Sequence, residues 1–275
     1  MNTPLYALSP YSALYQREEG VLQCGMDATR VGVIEGRPGL AAALNAVRTP
    51  LTRQEIEARL QRAGIGVEAA RSIVDDLIHY NVLWPAGKRA SVVVIGTSPL
   101  AQILRHVLRE DGFNVRGPLG HEEEKAYLAS VAGHFPIVTV DAFARAVELA
   151  EVLRGRGATV LPVAVLDSRG VVGPLLDAGR GPCPLCVHLH RIDADEHWHT
   201  VTERVAEHPA PGDDIVRTAV AMRAVATLRR LVGRPSPPGA PQHKPLAGEL
   251  VEVDLYGHNQ QRYVMEHPCC PHCRF

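Results

Sequence analysis

The sequence predicts an α/β protein built as two domains, and three observations predict it. Short apolar stretches broken by glycines lead into three helical patterns in the N-terminal part. From Ser91 onward, buried strand patterns alternate with amphipathic helices. Two Cys-x-x-Cys turns, Cys183-Pro184-Leu185-Cys186 and Cys270-Pro271-His272-Cys273, close the second part. Strand and helix in alternation call for a largely parallel sheet covered by helices. Paired cysteines at chelating spacing call for a metal.

The first domain is expected over residues 1–87. Leu5 to Leu8, Ala13 to Tyr15 and Arg30 to Ile34 read as short strands, with Gly20, Gly25, Gly36 and Gly39 as turns. Helices follow over Leu40 to Val47, Thr52 to Arg62 and Val67 to Tyr80, the second opened by a Thr52-x-x-Glu55 capping box. In the third, Val67, Ala70, Val74, Leu77 and Ile78 recur at helical spacing, and Val82-Leu83-Trp84 reads as a wing strand. That order is a winged helix-turn-helix. Its third helix carries Glu68, Asp75 and Asp76 against one Arg71, so it is ill-suited to a phosphate backbone.

The second domain is expected over residues 88–275, after a Pro85 to Arg89 linker. Ser91 to Gly96 is a buried strand, Leu100, Ile103, Leu104, Val107 and Leu108 form a helix stripe, and Phe113 to Val115 is a second strand. A polar helix from Glu122, a strand Ile137 to Val140, a helix Asp141 to Leu153 and a strand Thr159 to Leu166 continue a Rossmann-like order. Then come a turn at Asp167 to Gly170, a helix from Val187 and an amphipathic helix from Asp214 to Val232. Gly233 to Pro245 has the composition of a mobile loop, and Glu249 to Leu255 and Arg262 to Met265 read as strands.

Charge narrows the partners. The 275 residues carry 29 Lys and Arg against 30 Asp and Glu, a net charge of −1, without the basic excess that marks nucleic-acid binding. No basic n-region stands at the start and no apolar run has membrane-crossing length, so a cytoplasmic protein with peptide or protein partners is expected.

The phosphate-binding turn of such a domain needs glycines at a helix N-terminus and an acidic ribose anchor. Here it reads Gly96-Thr97-Ser98-Pro99-Leu100-Ala101: Gly96 remains, Ser98 and Ala101 stand in the other glycine places, and Pro99 removes a donor. Arg116-Gly117-Pro118 follows the second strand where the anchor belongs. ATP binding and catalysis are therefore not expected, and Asp141 is read as a helix N-cap.

Cys183, Cys186, Cys270 and Cys273 make one closed four-sulfur shell, which suits a structural zinc that clamps the tail. Disulfides suit small secreted chains, and a redox dithiol needs a thioredoxin-like setting. Cys269, His267 and His272 remain alternative ligands at this point, while Cys24 reads as a buried thiol. His188 and His190, two apart on a helix, face different ways and cannot chelate together.

The run Gly179-Arg180-Gly181-Pro182-Cys183-Pro184-Leu185-Cys186-Val187-His188-Leu189-His190-Arg191, with Asp193, Asp195 and Trp198, is distinctive. With Gly173-Pro174-Leu175-Leu176 and His267-Pro268-x-Cys270-x-x-Cys273, it resembles the ThiF-like proteins of azoline-forming peptide biosynthesis. These are relatives of ubiquitin-activating-type enzymes, known as leader-peptide-binding or cyclodehydratase partner proteins of thiazole/oxazole-modified microcin (TOMM) pathways. The resemblance implies a non-catalytic adaptor whose winged-helix domain captures a precursor leader for a separate YcaO cyclodehydratase, and a possible homodimer. Capture would add the leader as a strand beside Arg30, Val31, Val33 and Ile34, against Val67, Arg71, Val74 and Ile78 of the third helix. An active ATP-dependent adenylating enzyme and a winged-helix regulator with a zinc-braced sensor domain are the competing readings.

Overall fold

The computed structural model describes residues 3–11, 13–36, 38–87, 89–120, 122–207, 212–240 and 243–273. The chain divides into two compact units, Met1–Lys88 with Gly233–His243, and Arg89–Val232 with Lys244–Phe275.

In the first unit, Leu5–Leu8 (β1) is followed by Leu14–Glu18 (β2), Val21–Cys24 (β3), Ala28–Val31 (α1) and Val33–Glu35 (β4). The expected strand from Arg30 is corrected here. Asp27 caps a helical turn by accepting from the Thr29 N–H, and Gly32 N–H closes on Ala28, so Arg30 and Val31 are helical and the strand begins at Val33. Leu40–Asn45 (α2), Leu51–Thr52 (β5), Arg53–Arg62 (α3), Val67–His79 (α4) and Leu83–Pro85 (β6) complete the unit. The capping box forms: Thr52 accepts from the Glu55 N–H while the Glu55 carboxylate accepts from the Thr52 N–H at 2.7 Å.

Two antiparallel three-stranded sheets result, in the orders β2-β3-β4 and β5-β1-β6. β6 does not turn into a wing hairpin; it pairs with β1, Leu8 opposite Leu83. The helical spacing places Leu40, Leu44, Ile56, Leu60, Ala70, Val74 and Leu77 in one core, roofed by Leu22 and Cys24 of β3. Burial of Cys24 pushes its thiol up to about 11, so it is an inert core side chain. Residues 234–240, expected as loop, are without helix or strand and largely half-buried. Gly239 lies so near α1 that a β-carbon there would meet Arg30 Cβ at 3.0 Å.

In the second unit, Ser91–Ile95 (β7), Pro99–Glu110 (α5), Asn114–Arg116 (β8), Glu124–Val131 (α6), Ile137–Val140 (β9), Ala146–Leu153 (α7) and Val160–Leu166 (β10) alternate. Arg169–Val172 (β11), Pro184–Ala194 (α8), Trp198–Glu207 (α9), Asp214–Leu231 (α10), Glu249–Asp254 (β12) and Gln260–Tyr263 (β13) follow. They build a seven-stranded sheet, β13-β12-β11-β10-β9-β7-β8. The sheet is mixed rather than mostly parallel. β8, β7, β9 and β10 run parallel, and β11, β12 and β13 are added antiparallel. The cause is local: Asp167, at φ 54°, allows a two-residue turn that pairs Leu166 with Arg169, so Gly170 lies in a strand, not in a loop.

Both faces of the sheet are covered. Val92, Val94, Val138 and Val163 pack with α5 and α10, through Leu104, Leu108, Val220 and Ala224. Val93, Ile95 and Ile137 pack with α6 and α7, through Leu128, Leu149 and Leu153. Strands buried on both faces explain the unbroken Val and Ile runs. Among the described residues no helix is long and apolar enough to cross a membrane.

Candidate metal centre, phosphate loop and peptide edge

The two cysteine turns meet. Cys183 stands at the N-cap of α8 with Pro184 in the first helical position, so Cys186 projects from the first turn of the helix. The chain returns after β13 to put Cys270 and Cys273 beside them. Cys183 Sγ lies 3.7 Å from Cys186 and 3.6 Å from Cys270, and Cys186 Sγ lies 3.5 Å from Cys273. A tetrahedral shell with metal–sulfur bonds of about 2.3 Å spaces its sulfurs by about 3.8 Å, close to these values. All four ligand atoms lie within 4.8 Å of one another, a set that includes neither His267, His272 nor Cys269.

The thiols are poised unequally. Cys186 is drawn down to about 4 because it accepts a hydrogen bond from Cys183. Cys183 moves up for the same bond and for burial, and Cys273 is pushed up to about 12, first by burial. A cation placed among them would hold all four as thiolates. Cys269 is exposed, outside this shell.

The loop after β7 is filled by its own side chains. Gly96 adopts φ 119°, and a β-carbon there would sit 2.7 Å from the Val140 carbonyl oxygen, so glycine is required by packing alone. Ser98 caps α5: its Oγ accepts from the Ala101 N–H at 3.3 Å and donates to Asp141 Oδ2 at 2.6 Å. Pro99 has no N–H and Ala101 has given its own to Ser98, so this helix end offers little to a phosphate. Arg105 donates to the carbonyls of Val94 and Gly96 at 3.0 and 2.7 Å, which turns those oxygens away from any ligand as well.

Asp141 is not the expected helix cap. The segment after β9 enters a short 3-10 turn at Phe143–Arg145, and Asp141, at φ 50°, accepts from the Val165 N–H at 3.1 Å through Oδ1. Its carboxylate, just past the end of β9, ties the start of α5 to β10. At the end of β8, the Arg116 guanidinium stacks 4.6 Å above the Phe135 ring where a ribose anchor was sought.

In the first unit, β4 is hydrogen-bonded to β3 on one side, and among the described residues no strand covers its other side. Val33 is 38% exposed on this edge, and Val31 and Ile34 are partly buried against the core. On α4, Val67 is 51% exposed and Ile78 is partly buried, but Val74 is fully buried and is a core residue, not a contact for a ligand. Helical spacing marked Val74 as apolar without telling which side of the stripe it occupies. Arg30 is exposed, and the Arg71 side chain, 63% exposed, reaches within 3.9 Å of Glu57. The acidity of α4 is partly answered: Arg53 grips Asp75 with two bonds of 2.7 and 2.9 Å, which holds that carboxyl below its usual range.

His188 and His190 diverge as expected: His188 meets the edge of His199 at 5.4 Å and His190 meets His267 at 4.7 Å between ring centroids. Sequence reasoning missed the Ser98–Asp141 bond, since nothing in the chain order brings residue 98 to residue 141. It also missed the pairing of Asp193 with His267, 2.8 Å from carboxylate to Nε2, although Asp193 stands one helical turn beyond His190.

No family model and no curated protein matches this sequence. Solved structures do match. A heterocyclase determined in complex with substrate and cofactor superposes with a TM-score of 0.60 at 14% identity, over 98% of this chain and 40% of that one. The heterocyclase TruD gives 0.58 at 15%, over 98% of this chain and 43% of its own. The microcin C7 biosynthetic enzyme MccB, in complex with N-formylated MccA, gives 0.57 at 13%, over 98% and 99%. The chain thus spans well under half of the heterocyclase chains and nearly the whole of MccB. It shares with them a mixed α/β fold.

Proposed function

We propose that this protein is a leader-peptide-binding adaptor that presents a ribosomally made precursor to a YcaO cyclodehydratase for azoline formation, without adenylating it. The observation that carries this reading is the edge of β4, which no second strand covers among the described residues, in a sheet that leads directly into the helical trio α2, α3 and α4. An extended leader would add there as a strand, with Val33 and Ile34 setting register and Arg30, Val31, Val67, Arg71 and Ile78 receiving side chains. The helical trio is read as a winged helix in which β1 takes the place of the second wing strand.

Two further observations support it. The phosphate loop is occupied by Ser98, Asp141 and Arg105, which removes the cradle an adenylating enzyme needs. The heterocyclases of like fold are more than twice as long, and this chain matches 40–43% of their length. The four-cysteine cluster is read as a structural zinc site: the donors are all sulfur, three of their spacings match a tetrahedral shell, and four thiolates would fill it. A cytoplasmic location and a homodimer complete the proposal.

The test is fluorescence anisotropy of labelled leader peptides from reading frames beside a YcaO gene, titrated with and without that protein. Saturable binding that weakens at least about tenfold in Val33→Pro is expected, since proline cannot present the strand's hydrogen bonds. Absence of binding with the partner present, together with ATP–pyrophosphate exchange on a carboxyl substrate, would replace the adaptor with the adenylating enzyme.

A further inference from the structure

The tail that carries Cys270 and Cys273 is held to α8 by a set of bonds that use no thiol. His190 and Asp193 stand three positions apart on α8, on one face of the helix. His190 Nε2 is 3.0 Å from the Met265 carbonyl oxygen; a carbonyl only accepts, so this nitrogen carries the proton. His267, with its side chain 5% exposed, has Nε2 at 2.8 Å from Asp193 Oδ2. Its Nδ1 accepts the Cys269 N–H at 3.1 Å, and its carbonyl accepts the Cys270 N–H at 2.9 Å.

One tautomer satisfies every bond of His267: Nε2–H donates to the carboxylate and Nδ1 keeps its lone pair for Cys269. The ligand atoms of His190, Asp193 and His267 also lie within 4.8 Å of one another, a spacing that can hold a cation. A metal on His267 Nε2 would force the proton onto Nδ1, against the Cys269 N–H. The hydrogen bonds therefore mark a latch, not a second metal site.

We propose that His267 is a positioning residue for the metal centre, an inference that rests on the metal reading of the four cysteines. Its ring and carbonyl fix two successive amides of the second cysteine turn, and Asp193 fixes the ring. The first cysteine turn and Asp193 belong to the same helix, so both halves of the sulfur shell are set from α8. The site is thus preformed before a metal arrives, and binding need not also order the tail.

Substitutions at one position separate the two links. Asparagine at 267 can still accept the amide two residues on, as an Asx turn, but cannot reach Asp193. Glutamine reaches Asp193 but loses the amide. Zinc affinity, read by competition with a chromophoric chelator, is expected to fall about 10–100-fold in His267→Ala, nearly as far in His267→Gln, and least in His267→Asn. Amide exchange in the metal-free protein should quicken at Cys269 and Cys270 in the same order. Should His267→Ala not fold, Asp193→Ala serves, with an expected loss of about tenfold. Wild-type zinc affinity and exchange in His267→Ala would overturn the proposal, as would equal losses in His267→Asn and His267→Ala. A wild type that binds no zinc at all would overturn the metal reading first, and this inference with it.

Discussion

The starts of α5 and α8 are built alike and do opposite things. Each has a cap residue followed by proline at the first helical position, Ser98-Pro99 in one and Cys183-Pro184 in the other. Ser98 spends its hydroxyl on the Ala101 N–H and on Asp141. Cys183 makes no side-chain cap bond, and its sulfur faces three other sulfurs. A hydroxyl is a good acceptor for a helix amide and a thiol is a poor one. The same backbone device therefore ties its cap residue into local hydrogen bonds with oxygen and leaves it among ligand atoms with sulfur.

The largest test of this contrast is Cys183→Ser, which gives α8 a better cap and removes a ligand. Metal should be lost and the C-terminal strands loosened, with a fall of a few kcal/mol that lowers the unfolding midpoint by about 10 °C for a chain of this size. Metal analysis and a thermal melt read it, and a wild type that is metal-free and equally stable would break the comparison. Next comes Gly96→Ala, whose β-carbon would press on the Val140 carbonyl in a left-handed conformation. A loss of about 2–3 kcal/mol by denaturant titration is expected, with no change in metal content.

Ser98→Ala should cost about 1 kcal/mol as a lost cap and, on the adaptor reading, give no pyrophosphate exchange, because Pro99 still lacks a donor and Arg105 still holds the Gly96 carbonyl. Recovered exchange would show that Ser98 alone seals the loop. The smallest effect belongs to Asp75→Asn on α4. The lowered carboxyl of Asp75, drawn down by Arg53, contributes at neutral pH and loses that contribution as pH falls through its folded value. Both side chains are exposed, so the effect should be slight and screened by salt.

The second unit was more legible than the first, for a local reason. Val and Ile runs buried on both faces mark β7, β9 and β10 whatever lies around them. The N-terminal strands are short and half-exposed, so a capped turn at Asp27 outweighed the β-branched pattern at Val31. Among site residues the four cysteines stood out from spacing alone, since a chelating pair needs only its own turn. Val74 did not, because its burial depends on which side of the stripe the core lies.

Sequence by itself determined the helix periodicity, the Thr52 and Glu55 capping box, the cysteine pairs and the poverty of the Gly96 loop in glycine, all interactions closed within a few residues. Tertiary structure decided the rest: that β11 to β13 run antiparallel, that Ser98 meets Asp141, that His267 serves Asp193 and Cys269 rather than a metal, and that, among the described residues, β4 pairs with one strand alone. The Ser98–Asp141 and Asp193–His267 bonds join residues 43 and 74 positions apart, and a hydrogen bond between distant residues leaves no periodic trace in the order of amino acids.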